Sequence, residues 1–309
     1  MPPTVRQASF RQRGHRLAYS DYGGEGIPLI LMPGLLLPRE MHHPLARDLA
    51  EMGHRVVTFD LLGHGQSDRP LDMSQHSVSL YADDCIALLD HLEVGRAVIG
   101  GTSLGGNVTL EVASRAPRRV AAMVVEMPVL DSGLIFSALT FSPFLVGLTM
   151  GNRIWSPVAR GLRGIPRRLL PFYANIALDL IRQEPRPSAA VMQGVFFGRV
   201  APPRSERRTF TAPALVIGHR RDPVHAFSDA DMLARELPNG RLVQASSIFE
   251  LRFTPKRLTL KIHDFLLEVA PPRLRAVPAT GRRQSAGRRR ASGGRPGQRS
   301  TAQAMSRSG

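Results

Sequence analysis

The sequence predicts an α/β fold, a mostly parallel sheet with helices on both faces, and three observations predict it. Short apolar runs alternate with helix-period segments from Pro28 to Glu126. One of these runs ends in Gly101-Thr102-Ser103-Leu104-Gly105, a G-x-S-x-G pattern, and a helix-period segment starts at once. The alternation stops near residue 130 and returns at Ala214, so a long insertion interrupts a single sheet.

The elements follow in order. Gln7 to Arg11 and Arg16 to Ser20 alternate in polarity around Gly14 and predict a β-hairpin. Pro28 to Met32 is a short buried strand, Arg39 to Met52 a helix closed by Gly53, and Val56 to Phe59 a strand entering the loop Gly63-His64-Gly65. Val78 to Leu92 has apolar residues at helical spacing, Ala97 to Gly101 is a strand, Leu104 to Arg115 is a helix stopped by Pro117, and Val120 to Glu126 is a buried strand. From Leu130 to about Arg208 the pattern is short helical pieces punctuated by Pro143, Pro157, Pro166, Pro171, Pro185 and Pro187, which predicts a helical cap over residues 131–208. Ala214 to Gly218 and Arg241 to Ala245 are strands, and Ser228 to Glu236 and Pro255 to Val269 are helices. The expected organisation is core over 1–130 and 209–270, cap over 131–208, and a tail over 271–309.

Composition narrows the class. Hydrophobic residues make up 43% of 309, ordinary for a soluble globular chain. The net charge of +16 is uneven: ten Arg and no acidic residue fall in 271–309, a Gly-, Ser- and Pro-rich stretch expected to be disordered. Such a tail touches anions weakly and without specificity, or is an extension with no partner; no specific nucleic-acid site is expected. Residues 1–16 are polar and basic with no apolar core, and Cys85 alone excludes an intramolecular disulfide, so a cytoplasmic location is expected. Gly133 to Gly151 is marginal in length for a bilayer span, and a lid helix pair is the expectation there. No metal-ligand spacing and no G-x-G-x-x-G after a strand is present, so neither a metal nor a nucleotide cofactor is expected.

The chemistry lies at Ser103. Glycines on either side remove the Cβ atoms that a sharp strand-to-helix turn would bring into collision, so the hydroxyl projects above the sheet. The N–H of Leu104 then stands at a helix N-terminus, where orphan donors and the helix dipole favour a developing oxyanion.

Three motifs in one order resemble the α/β-hydrolase superfamily over roughly residues 10–269. They are Asp60-Leu61-Leu62-Gly63-His64-Gly65-Gln66-Ser67-Asp68, similar to that family's D-x-x-G-x-G-x-S loop; the elbow at Ser103; and Ala212 to Val224, similar to its penultimate strand and acidic loop. The resemblance implies a Ser–His–acid hydrolase with Ser103 as nucleophile and Asp222 as acid. A turn-forming Asp-Pro pair is the other reading of Asp222. It also implies a second oxyanion donor at the N–H of Leu35, although Met32-Pro33-Gly34 stands where the family usually has His-Gly.

The family's histidine is missing from its usual loop. Counting back from Pro255 puts Ile248 there, and no histidine lies between His225 and His263. His225, three residues after Asp222, is the candidate base, with Asp131 or Glu126 as alternative orienting acids; a polar residue opening the next helix is the other reading of His225. His42 and His43 line the pocket or sit at the surface, and His64 is structural. Two functions follow. One is a serine hydrolase of a small, largely apolar ester or related carbonyl compound. The other is a catalytically impaired, hydrolase-like binding protein for an apolar small molecule. An apolar cap stretch (Leu134, Ile135, Phe136, Leu139, Phe141, Phe144, Leu145) suits both.

Overall fold

Eight strands make one sheet in the computed structural model, which describes residues 4–270 apart from 132, 151, 165, 167–169, 221 and 223. The tail at 271–309 lies outside the described residues. The strands are β1 (Arg6–Gln12), β2 (His15–Asp21), β3 (Glu25–Met32), β4 (His54–Phe59), β5 (Ala97–Thr102), β6 (Val120–Glu126), β7 (Ala214–His219) and β8 (Gly240–Ala245), and their spatial order is β1-β2-β4-β3-β5-β6-β7-β8. The β1–β2 and β2–β4 pairs are antiparallel, and the pairs from β4 through β8 are parallel. The expected mostly parallel sheet is what the chain forms. Its central strands are buried along their length, which is why they read as unbroken apolar runs rather than alternating ones.

Helices α1 (His43–Glu51), α2 (Val78–His91) and α3 (Leu104–Arg115) follow β3, β4 and β5. Residues 39–52 are not one helix. A 3₁₀ turn over Arg39–His42 precedes α1, because Pro44 at the start of α1 has no N–H to continue a helix from upstream. Between β6 and β7 the chain runs through α4 (Gly133–Met150), α5 (Asn152–Arg163), α6 (Phe172–Arg182), α7 (Pro185–Phe196) and the single turn α8 (Arg204–Arg207). Then α9 (Phe227–Glu236) precedes β8, the short α10 (Glu250–Phe253) follows it, and α11 (Lys256–Val269) closes the described chain.

Apolar side chains collect on both sides of the sheet. One cluster joins Ile30, Val57, Ile99, Val125 and Val216 to α2, α3 and α9. The other joins Leu29, Leu31, Val98 and Ile217 to α1 and α11. Cys85 belongs to the first, and burial pushes its thiol up to about 12, so it is a small core side chain rather than a nucleophile.

Candidate active site

The turn from β5 into α3 is built around two contacts that only glycine permits. A Cβ on Gly105 would strike the Met32 carbonyl oxygen, and one on Gly101 would come within 2.5 Å of the Gly105 backbone. With both glycines in place, Ser103 takes φ 54° and ψ −112°, a sparsely populated conformation that costs about 1–3 kcal/mol and needs support from its surroundings. Three backbone hydrogen bonds supply that support. The Ser103 N–H donates to the Glu126 carbonyl at 2.8 Å, the Asn107 N–H donates to the Ser103 carbonyl at 3.0 Å, and the Gly105 N–H donates to the Pro33 carbonyl at 3.1 Å.

The last of these bonds ties the elbow to the loop after β3. Pro33, standing where a histidine was expected from the resemblance, anchors through its carbonyl, which proline keeps. Leu35 and Leu104 both line a recess with Ser103, and the Leu104 N–H is an N-terminal amide of α3 with no intrahelical acceptor. The rest of the recess is Asn107, Val129, Phe141, Val195, Phe196 and Val200. Asn107 is spent on structure: its side chain donates to the Val129 and Val200 carbonyls at 2.7 and 2.9 Å and accepts from the Val129 N–H at 3.0 Å. What remains facing the serine is apolar. Of the apolar cap residues singled out from sequence, Phe141, Phe144 and Leu145 pack against the core, while the side chains of 134–136 and 139 lie outside the described ones.

His225 reaches the serine from the loop between β7 and α9. Its Nε2 is 2.8 Å from Ser103 Oγ, and its Nδ1 is 2.9 Å from Asp222 Oδ2. The tautomer with a proton on Nδ1 makes both bonds, donating to Asp222 and accepting from the hydroxyl. Asp222 Oδ1 accepts from the backbone N–H groups of Val224 at 2.8 Å and His225 at 2.9 Å. Asp222 therefore folds the loop as a turn residue and orients the ring, so the two readings of it coexist. Burial pushes its carboxyl up, but the His225 bond and charge and the two backbone donors outweigh that and hold it below the ordinary carboxylate range.

Glu126 and Asp131, the alternative orienting acids, are engaged elsewhere. Asp131 is exposed and lies 3.6 Å from Arg207. Glu126 accepts from Thr102 Oγ1 at 2.5 Å and Arg252 Nη2 at 2.7 Å, and His219 Nε2 lies 3.3 Å away. Arg252 Nη2 also donates to Thr102 Oγ1 at 3.1 Å. His219 Nδ1 faces the Ser247 carbonyl at 2.8 Å, so with both ring nitrogens against acceptors the imidazolium is the form that satisfies both. This buried network under the elbow escapes the sequence reading. Its one signal is a Glu ending an otherwise wholly apolar strand, which demands partners.

The remaining histidines sort by burial. His42 is buried rather than at the surface, with Nε2 3.0 Å from the Met32 carbonyl; burial and then the Arg252 charge push it down to about 4. His43 sits 3.1 Å from the Tyr22 hydroxyl, His64 holds the Leu62 carbonyl at 3.0 Å, and His263 pairs with His54 at 2.8 Å. Ile248 lies half-buried in the loop after β8. Among the described residues, no group of three His, Cys, Asp or Glu side chains could hold a metal.

Comparison with known proteins fits this geometry. Residues 27–153 match the family model described as the alpha/beta hydrolase fold. A structure of the enol-lactonase from Burkholderia xenovorans LB400 superposes with a TM-score of 0.67 at 22% identity, covering 84% of this chain and 99% of that one. The chain has the α/β-hydrolase fold. Two curated relatives of this hydrolase-fold chain match locally. A Mycobacterium phage D29 protein carrying a non-heme haloperoxidase name is 35% identical over 36% of this chain and 39% of its own length. The dihydrolipoyllysine-residue acetyltransferase component of the acetoin cleaving system from Pseudomonas putida is 38% identical over 36% of this chain and 29% of its own length. The chain thus spans less than half the length of these relatives.

Proposed function

We propose that this hydrolase-fold protein is a serine hydrolase of small, largely apolar esters or related carbonyl compounds. The observation that carries the reading is the pair of bonds through His225, to Ser103 Oγ at 2.8 Å and to Asp222 at 2.9 Å. In this mechanism the Ser103 hydroxyl gives its proton to His225 Nε2 as Oγ attacks the carbonyl carbon. Negative charge gathers on the former carbonyl oxygen, against the N–H groups of Leu35 and Leu104. Asp222 stabilises the imidazolium, which then protonates the departing alkoxide. Water, activated by the same imidazole, attacks the acyl-enzyme carbonyl and releases the acid.

The apolar lining of the recess favours a hydrocarbon acyl group over a charged one, since among the described lining residues none has a free group to satisfy a carboxylate or ammonium. The binding-protein reading draws on Ile248, which cannot accept a proton; with His225 against the serine, that position need not. Hydrolysis of 4-nitrophenyl acetate and butyrate tests the proposal. The unaltered protein should turn over both esters, and Ser103→Ala and His225→Ala should each cost about 10³-fold or more in kcat. Equal rates for all three proteins would reject it.

A further inference from the structure

We propose that the face built by α4 and α5 docks on an anionic lipid bilayer surface. The inference is independent of the reaction at Ser103 and starts from charge. Residues 132–178 contain five basic residues (Arg153, Arg160, Arg163, Arg167 and Arg168) and not one Asp or Glu. In a chain with 25 acidic residues, a stretch of that length kept free of them attracts only one sign of partner.

The apolar pattern supplies the second half. α4 is 18 residues long with no charged side chain at any position. A helix without a charge on any side and mostly apolar belongs in a core or against lipid. Its inner side meets the core through Phe141, Phe144, Leu145 and Leu148. Its outer arc exposes Pro143, Val146 and Gly147, with Val146 at 52%, beside the uncharged hydroxyl residues Thr140, Ser142 and Thr149. The α5 sequence combines Ile154, Trp155, Val158 and Leu162 with Arg153, Arg160 and Arg163 at an amphipathic period. Val158 is 47% exposed and Arg160 is exposed. A basic amphipathic sequence that includes a tryptophan is the pattern of a segment that lies in the headgroup region.

The geometry points to lying on the membrane, not crossing it. Among the described residues no helix is long and apolar enough to span one. At a rise of about 1.5 Å per residue, α4 reaches about 27 Å, short of a typical hydrocarbon core, and it carries Pro143. Apolar side chains at the interface and arginines at lipid phosphates give two weak signals that together hold a protein on a surface. Phe141 of the same helix lines the recess at Ser103, so a docked α4 would sit between lipid and that recess.

The chain holds a single tryptophan, Trp155, which makes the test direct. The full-length protein is titrated with vesicles of phosphatidylcholine alone, and of phosphatidylcholine with phosphatidylglycerol. Expected is a blue shift of Trp155 emission and co-sedimentation with the anionic vesicles only, weakening as salt is raised. Brominated lipids should quench the emission, a readout that needs no variant. The double variant Val146→Asp/Val158→Asp, altered only at exposed positions and checked for fold by circular dichroism, should lose about tenfold or more in partitioning. Gln at Arg282, Arg283, Arg288, Arg289 and Arg290 should leave binding largely in place. The proposal is overturned if neither vesicle binds, if binding survives the double variant, if only the tail substitutions abolish it, or if the double variant instead removes self-association of the chain.

Discussion

In the proposed mechanism His225 acts as the base from the loop after β7, and its bonds to Asp222 and Ser103 support that role. The spacing Asp222-x-x-His225 lets one carboxylate bind the backbone N–H of the residue it must orient, at 2.9 Å, and that residue's ring, also at 2.9 Å. Acid and base are therefore positioned by one turn, with no second loop needed to bring them together. Asp222→Asn should test this coupling. Asparagine keeps the size and can still cap the turn through its oxygen, but its amide favours the wrong imidazole tautomer. We expect kcat for ester hydrolysis to fall by about 10³- to 10⁴-fold with little change in the folded fraction. A loss under tenfold would mean that Asp222 is a turn residue only. At this scale the sequence was legible where chemistry is local. Ser103 is marked by its glycines, and Asp222 and His225 by position and spacing. What brings His225 to Ser103, 122 residues away, is a loop path that no local pattern encodes.

Strand ends carry the titratable groups, and this sets how the elements respond to pH. His54 opens β4, His64 follows it, His42 leads into α1, His219 ends β7 and Glu126 ends β6. Burial pushes His54 to about 4 and His64 to about 3, and His42 to about 4 with help from the Arg252 charge. For these three the unfolded chain, with histidine near 6.5, binds more protons between those values, so stability rises with pH up to about 6.5 and is then level. His219 runs the other way. Burial lowers it, but the bond to and the charge of Glu126 outweigh that, and its folded value is raised. Its contribution is complete below about 6.5 and is lost as pH climbs through the raised value. With His43 and His76 also shifted down by burial, five histidines oppose one, so the midpoint of thermal unfolding should drop from pH 7 to pH 5 and fall only gently from pH 7 to pH 8.5. His219→Gln should flatten the alkaline limb. A midpoint that rises on acidification to pH 5 would contradict these assignments. The partners of Glu126 were not legible beforehand because Arg252 and His219 converge on it from α10 and from β7, elements that sequence periodicity cannot place side by side.

At the scale of the fold, three distant stretches come together: Leu35 after β3, Ser103 and Leu104 after β5, and Asp222 with His225 after β7. The parallel sheet does this by pairing β3 with β5, β5 with β6 and β6 with β7, so that the loops at their C-terminal ends open at one edge. That architecture was the most legible feature, because alternating periods and a sustained apolar run at each central strand leave few other folds. The insertion between β6 and β7 was legible as helical from its prolines and missing strands, while its packing was not, since α4, mostly apolar all round, specifies no single face. The most direct measurement is stoichiometric labelling with a fluorophosphonate, read by intact mass and peptide mapping. One adduct should form, on Ser103, in the native protein, and none in Ser103→Ala, in His225→Ala or in urea-unfolded chain. Labelling of His225→Ala at the native rate, or no adduct on Ser103 in the folded protein, would contradict the account.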